Sequence, residues 1–277
     1  MGFDRFSAKI KARGSMRQNK PSPVMVSLGF LALTVLLKRV VLWFHFDPLS
    51  AFYTYYIYWG YDAEEIIRYL VEEYSTEIMI FAGLSFLIGL YRTIMEFGYT
   101  SYAVRMARNE QPGFGHVFDG FLRPVHVLGS VLLQGLLITL WTIPFQAGMA
   151  AFLYWSIQHN SALFLVLSWT CMIGAMVVGV VKDYSYRLAW YFMLDDPACS
   201  SRKAISRSKT HMRGWKLDLL FLDLSFLGWR ILSGLTLGLL DVWVKPYRRA
   251  TEVNFYDFLT SASDGQEGGE EKAPTSF

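Results

Sequence analysis

Residues 206–256 read SRSKTHMRGWKLDLLFLDLSFLGWRILSGLTLGLLDVWVKPYRRATEVNFY, and the way this stretch folds decides the architecture of the chain. Most of it is apolar enough for a bilayer, yet it carries Asp218, Asp223, Arg230 and Asp241. Charges inside a membrane are costly and mark a bundle interior, an aqueous cavity or a partner surface. The run Trp215–Val244 is long for one crossing and short for two. One crossing puts Lys245, Arg248 and Arg249 on the far side, against the positive-inside rule. A hairpin hinged near Ser233-Gly234 brings them back, but each arm then has about half the required length. Such a broken element is tolerated only where protein or water covers the freed backbone. Five full crossings and a sixth or re-entrant segment both stay open.

Working outward, the 277 residues are 53% hydrophobic and 17% aromatic, and only 18% are charged. About 25% charged residues is usual for a soluble domain, so the shortfall and the long apolar runs place the chain in the membrane class. A net charge of +3 is too small to indicate a nucleic-acid partner, and the basic residues cluster beside apolar runs, as topology demands. Cys171 and Cys199 have no CxxC or metal-ligand spacing and read as free thiols.

Residues 1–23 hold six basic residues against Asp4, a basic cytoplasmic segment. It is suited to one or two turns of interfacial helix, limited by Gly14 and Pro21-Ser22-Pro23. No cleavable signal pattern follows, so the first span is expected to serve as an uncleaved anchor. That span covers 24–46, with Lys38-Arg39 snorkelling at its far end. The 45–77 loop is acidic. Its aromatic run FYTYYIYWGY suits headgroup level, and an amphipathic helix follows with Asp62 and Glu65 as a capping box. Further spans run from Ile78 to about Val104, from Pro124 to Ile143, and from Ala162 to Val181. Pro144 either kinks one long helix or separates an interfacial piece, Phe145–Ile157. YRLAWYFMLDDP continues the fourth span to Pro197, and the basic 195–214 loop reads as a cytoplasmic helix. Basic residues in the N-terminus, 105–123 and 195–214, set against the acidic 45–77 loop, place the N-terminus inside. The tail 260–277 lacks the apolar content to fold and is expected to be disordered.

The candidate site is an intramembrane charged cluster: Arg92, Glu96, Asp183, Arg187, Asp218, Asp223, Arg230 and Asp241. Arg92 with Glu96, and Asp183 with Arg187, stand at i, i+4 and can pair. Arg92 and Asp223 reach a similar depth at about 1.5 Å per residue. Asp223 and Arg230, seven apart, fall on one helix face. Internally paired charges that fix helix register are the plain reading; a docking surface for a partner helix and a conducting path are the alternatives. The five histidines lack an HExxH spacing, no GxSxG or P-loop occurs, and Gly113-Phe114-Gly115 is a turn. The expectation is therefore no enzyme, no cofactor and no metal site. Gly234 and Gly238 form a GxxxG that permits close helix packing or homodimerisation.

Three further pieces, RMARNEQPGFGHVFDGF (105–121), AWYFMLDDP (189–197) and AISRSKTHMRGWK (204–216), join the closing LLFLDLSFLGWRILSGLTLGLLDVWVKPY and Phe255-Tyr256. Together they resemble the DUF975 family of bacterial polytopic membrane proteins. The resemblance implies a multi-pass protein of a cytoplasmic (cell) membrane from 24 to 259, without assigned active-site residues. The combined expectation is an all-α, polytopic transmembrane helical bundle with five or six membrane segments. Its partners are the lipid bilayer and another membrane protein or a second copy, with no nucleic acid. The expected role is binding rather than catalysis, and the alternative is a small-solute or ion transporter or channel using the buried charges.

Overall fold

The computed structural model describes residues 2–43, 53–54, 56–57, 62–236 and 238–270, without the side chains of 35–36, 38–43, 63, 67 and 263–270. Among these residues the chain is helical, with no strand. The helices are α1 Arg5–Gln18, α2 Pro23–Trp43, α3 Ala63–Glu73, α4 Ser75–Ala107, α5 Pro124–His159, α6 Ala162–Tyr186, α7 Ala189–Asp195, α8 Ser201–His211, α9 Lys216–Leu224, α10 Leu227–Leu235 and α11 Asp241–Glu270, with a 3-10 segment Phe114–Leu122 between α4 and α5.

Three elements are long and apolar enough to cross a membrane: α4, α5, and α6 continued through α7 to Asp195. Of the five or six membrane segments expected, these three meet both criteria among the described residues. The first expected span supplies a shorter apolar helix, Pro23–Thr34, at the start of α2. The expected snorkelling of Lys38 and Arg39 concerns side chains outside the described set, and so does most of the aromatic run 52–61. Pro144 does not break α5, which is one helix. It lies along α6, where Ser168 Oγ donates to the Met149 carbonyl at 3.1 Å and Phe145 presses on Gly174. Asn160, with φ 44, turns the chain between the two helices.

Burial divides the long helices. In α4 every buried residue lies from Ile94 onward. In α6, Ser168 apart, burial begins at Ser185. The outer parts, 75–93 and 162–184, rise roughly 28 Å and roughly 34 Å at 1.5 Å per residue, close to the ~30 Å hydrocarbon core of a bilayer. They expose Met79, Phe86, Leu87, Leu163, Val166 and Met176, the surface that lipid requires.

The inner parts pack with α1, α7, α8, α11 and the 3-10 segment into a core holding Tyr99, Tyr102, Met106, Tyr191, Phe255 and Tyr256. The 3-10 segment lies backbone to backbone on α4. A Cβ on Gly98 would stand 1.9 Å from the Val117 carbonyl oxygen, and one on Gly120 would stand 2.1 Å from that of Ile94. The chain turns at Arg187-Leu188, where Ser208 Oγ accepts from the Leu188 amide at 3.1 Å and donates to the Ser185 carbonyl at 2.9 Å. One hydroxyl thus satisfies both sides of the interruption.

Several local expectations change. α1 runs through Gly14 to Gln18 because its small face, Ala8, Ala12 and Ser15, is buried and tertiary packing outweighs one glycine. Asn254 Nδ2 and Ser15 Oγ tie it down by hydrogen bonds to the carbonyls of Ala8 and Ala107. α3 forms, but Asp62 makes no side-chain cap; among its described side chains Ile66 and Leu70 are the buried ones. Trp215–Val244 is no single span. The helix breaks at Ser225-Phe226, and the fold-back lies after α10, at Gly238 with φ +86 rather than at Ser233-Gly234. Gly234 and Gly238 therefore share no helix face, and nothing lies within 4 Å of a Cβ on Gly234. α11 continues to Glu270, into the tail expected to be disordered; 271–277 lie outside the described residues.

Candidate functional site

The junction between the exposed and packed halves holds a cavity of about 470 Å³ lined by Arg92, Glu96, Asp183, Arg187, Arg230, Asp241, Val244, Lys245, Arg248 and Arg249. Six of the eight charged residues picked out by sequence reach its wall. Asp223 lies behind it, and Asp218 sits in the first turn of α9, where a carboxylate complements the helix dipole.

The pairing differs from the one expected. Arg92 and Glu96 form no ion pair; Glu96 Oε1 instead accepts from Lys245 Nζ at 2.7 Å, and its Oε2 lies 3.6 Å from Arg249. Arg92 does not reach Asp223 either. Asp223 is engaged by Arg248 at 3.0 Å, by Arg187 at 3.3 Å and by the Tyr184 hydroxyl at 2.9 Å. Asp183 and Arg187 do meet, at 3.5 Å. Asp223 and Arg230 sit on separate helices because of the break at Ser225-Phe226, and Asp241 accepts from Ser233 Oγ at 2.6 Å. Glu252, the most buried carboxylate of the group, joins Arg187 at 2.9 Å and Arg249 at 3.2 Å.

Lys245, Arg248, Arg249 and Glu252 are the site residues that sequence reasoning missed. Their spacing of i, i+3, i+4 and i+7 puts them on one helix face, which was the available signal; they read instead as a topological flank. Lys245 also lies over the Phe30 ring, 3.9 Å from its centroid. Burial pushes its ammonium below the ordinary lysine value, and Glu96 works against that.

Among the described residues, Arg92 and Arg230 are the cavity-lining cations that make no ion pair. Arg187, Lys245, Arg248 and Arg249 are neutralised internally. The wall is therefore a braced frame with two open guanidinium groups, one from α4 and one from α10.

Glu252 couples the frame to pH. Burial alone raises its carboxyl, but Arg187, Arg249 and Arg248 overcome this and hold it down at about 2, against an ordinary 4.5. A carboxylate with a depressed folded value stabilises the fold above its unfolded value and loses that contribution as pH falls through the folded one. Urea unfolding of wild type and Glu252→Gln is therefore expected to show a wild-type advantage at neutral pH that shrinks between about pH 4.5 and pH 2. A gap that stays constant over that window contradicts the assignment.

A second cluster clasps the packed layer. Arg108 grips Asp195 through both guanidinium nitrogens, at 2.6 and 3.1 Å, and reaches Asp257 at 2.8 Å, while Tyr256 donates to Asp195 at 2.7 Å. These residues come from the sequence pieces RMARN, FMLDDP and NFYD, which the fold brings to one place. Asp119 similarly gathers Ser101 and His116, at 2.6 and 3.4 Å. No group of three metal-ligating side chains occurs among the described residues, and Cys171 and Cys199 are free thiols.

The family model described as "Protein of unknown function (DUF975)" matches residues 9–263. No curated protein and no solved structure matches the chain.

Proposed function

The chain belongs to the DUF975 family, whose description assigns no function, and on that premise we propose that it is a non-enzymatic integral membrane protein that binds an anionic group in the cavity at the base of its membrane helices. The observation that carries this reading is the pair Arg92 and Arg230, left without carboxylate partners on a wall whose other cations are all paired. Guanidinium groups match the planar oxygen pairs of carboxylate and phosphate. Each carboxylate on the wall is held by a cation or a hydroxyl, which suits a fixed frame better than proton exchange. Asp223, which a conducting path through the charges needs to expose, carries three partners and a side chain only 13% accessible; this favours binding over transport. The packed layer, with the basic α1 and α8, is assigned to the cytoplasmic side of a bacterial membrane by the positive-inside rule.

Thermal unfolding of the full chain in detergent tests the reading, with inorganic phosphate, a soluble glycerol phosphate and an anionic phospholipid each titrated in. At least one of them is expected to stabilise the wild type, by about 2.7 kcal/mol at a hundredfold excess over Kd, and to leave Arg92→Gln/Arg230→Gln unmoved. No stabilisation by any of the three, or equal stabilisation of the variant, rejects it.

A further inference from the structure

The cavity lies at a definite level. On α4 the change from outward-facing apolar residues to packed core falls between Thr93 and Ile94, and on α6 between Tyr184 and Ser185. Arg92, Glu96, Asp183 and Arg187 straddle those two boundaries. In a bilayer this is where hydrocarbon gives way to headgroups, whose phosphates are the anions of that layer.

The helix that delivers Arg230 supplies the second half of the site. α10 has one buried residue, Ser233, whose hydroxyl is tied to Asp241. Next to Arg230 it exposes Ile231 at 59%, Leu232 at 44% and Leu235 at 76%. An apolar surface left open beside two unpaired guanidinium groups is the complement of an amphiphile with an anionic head, and a soluble anion has no use for it. α10 is also too short, at nine residues, to cross a bilayer by itself, so its apolar side chains lie at the level of the cavity mouth.

We propose that the cavity is a phospholipid site: Arg92 and Arg230 hold the headgroup phosphate between them, and the acyl chains lie along the exposed face of α10. This rests on the anion-binding reading above and names its ligand class. Arg92 and Arg230 have no ion pair within 4 Å to lose, so their replacement is expected to disturb the fold little. The internal pairs of Arg187, Arg248 and Arg249 keep the frame rigid, which lowers the ordering cost of binding.

The test is native mass spectrometry of the full chain released from detergent in the presence of phosphatidylglycerol, phosphatidylcholine or soluble glycerol phosphate. Wild type is expected to retain phosphatidylglycerol at least about tenfold more tightly than Arg92→Gln/Arg230→Gln; tenfold corresponds to about 1.4 kcal/mol. Arg92→Lys/Arg230→Lys, which keeps the charge and loses the fork, is expected to fall between them. Ile231→Gln/Leu235→Gln is expected to weaken the lipid and spare any retention of glycerol phosphate. If glycerol phosphate displaces the lipid at equal concentration, or the α10 variant binds lipid normally, the phospholipid assignment fails while the anion reading stands. Binding of neither ligand sinks the phospholipid assignment, and if inorganic phosphate also fails to stabilise the chain the anion reading falls with it. Equal lipid retention by wild type and Arg92→Gln/Arg230→Gln also overturns the site, because the lipid is then held elsewhere on the apolar surface.

Discussion

Replacing Arg187 by methionine is expected to destabilise the protein by about 3–5 kcal/mol, the range for removing one partner of a buried ion pair. Arg187 is the hub of the charged frame. It contacts Glu252, Asp223 and Asp183 at 2.9, 3.3 and 3.5 Å. The side chains of Glu252 and Asp223 are only 4% and 13% accessible, so water does little to replace the lost guanidinium. Arg249 and Arg248 remain near them, which keeps the loss below that of an isolated buried charge. Arg187 also sits at the turn between α6 and α7, where its neighbour Leu188 relies on Ser208, so loosening the hub strains the splice as well. Because Glu252 then loses its nearest guanidinium, Arg187→Met/Glu252→Gln is expected to cost less than the two single losses added together. Strict additivity in the double-mutant cycle contradicts the direct pairing.

The second large effect needs no charge. Gly98→Ala is expected to cost at least about 3 kcal/mol, the upper end of ordinary overpacking, because the new methyl meets backbone and not a side chain that can rotate away. Its ideal position is 1.9 Å from the Val117 oxygen and 2.7 Å from the Val117 carbonyl carbon. Only a shift of the whole 3-10 segment relieves that overlap, and Ser101 and Arg105 bind the segment to α4 through Asp119. Gly89→Ala, nine residues earlier on the same helix, has nothing within 4 Å and is expected to be neutral or to gain up to about 1 kcal/mol of helix propensity. Comparing the unfolding of the two variants in the same detergent isolates the contact from the propensity. Equal behaviour of the two contradicts the close approach.

What could be read from the sequence follows how local each feature is. The apolar helices 75–107, 124–159 and 162–186 announce themselves by length and composition, because lipid-facing surface has to be apolar in any arrangement. The inner ends of the same helices carry a second message that composition hides. The run from Ile94 to Ala107 continues the helix of the second span without a break, and only its burial against α1, α11 and the 3-10 segment shows that protein covers it. Six of the eight candidate charges do meet around one cavity, since charges in such helices are driven together. Which partner each one takes depends on α11 folding back after Gly238, a long-range event with no local signature. Arg92 therefore looked paired with Glu96 at i, i+4, whereas Lys245, 149 residues away, takes that carboxylate. The same fold-back accounts for the basic Lys245–Arg249 run, which breaks the positive-inside rule as the far flank of a single crossing and is largely neutralised as a wall. Gly98 had no mark of its own among the glycines of α4, because its role is set by where residues 114–122 return.

The most direct test of the central claim is an experimental density map of the full chain in nanodiscs of anionic phospholipid. The expected result is a phosphate-sized feature between the guanidinium groups of Arg92 and Arg230, continuing as chain density along Ile231 and Leu235. It should appear with Arg187, Arg248 and Arg249 still paired to Asp223 and Glu252. A map in which Arg92 and Arg230 close onto Asp183 or Asp241, with lipid ordered only elsewhere, contradicts it.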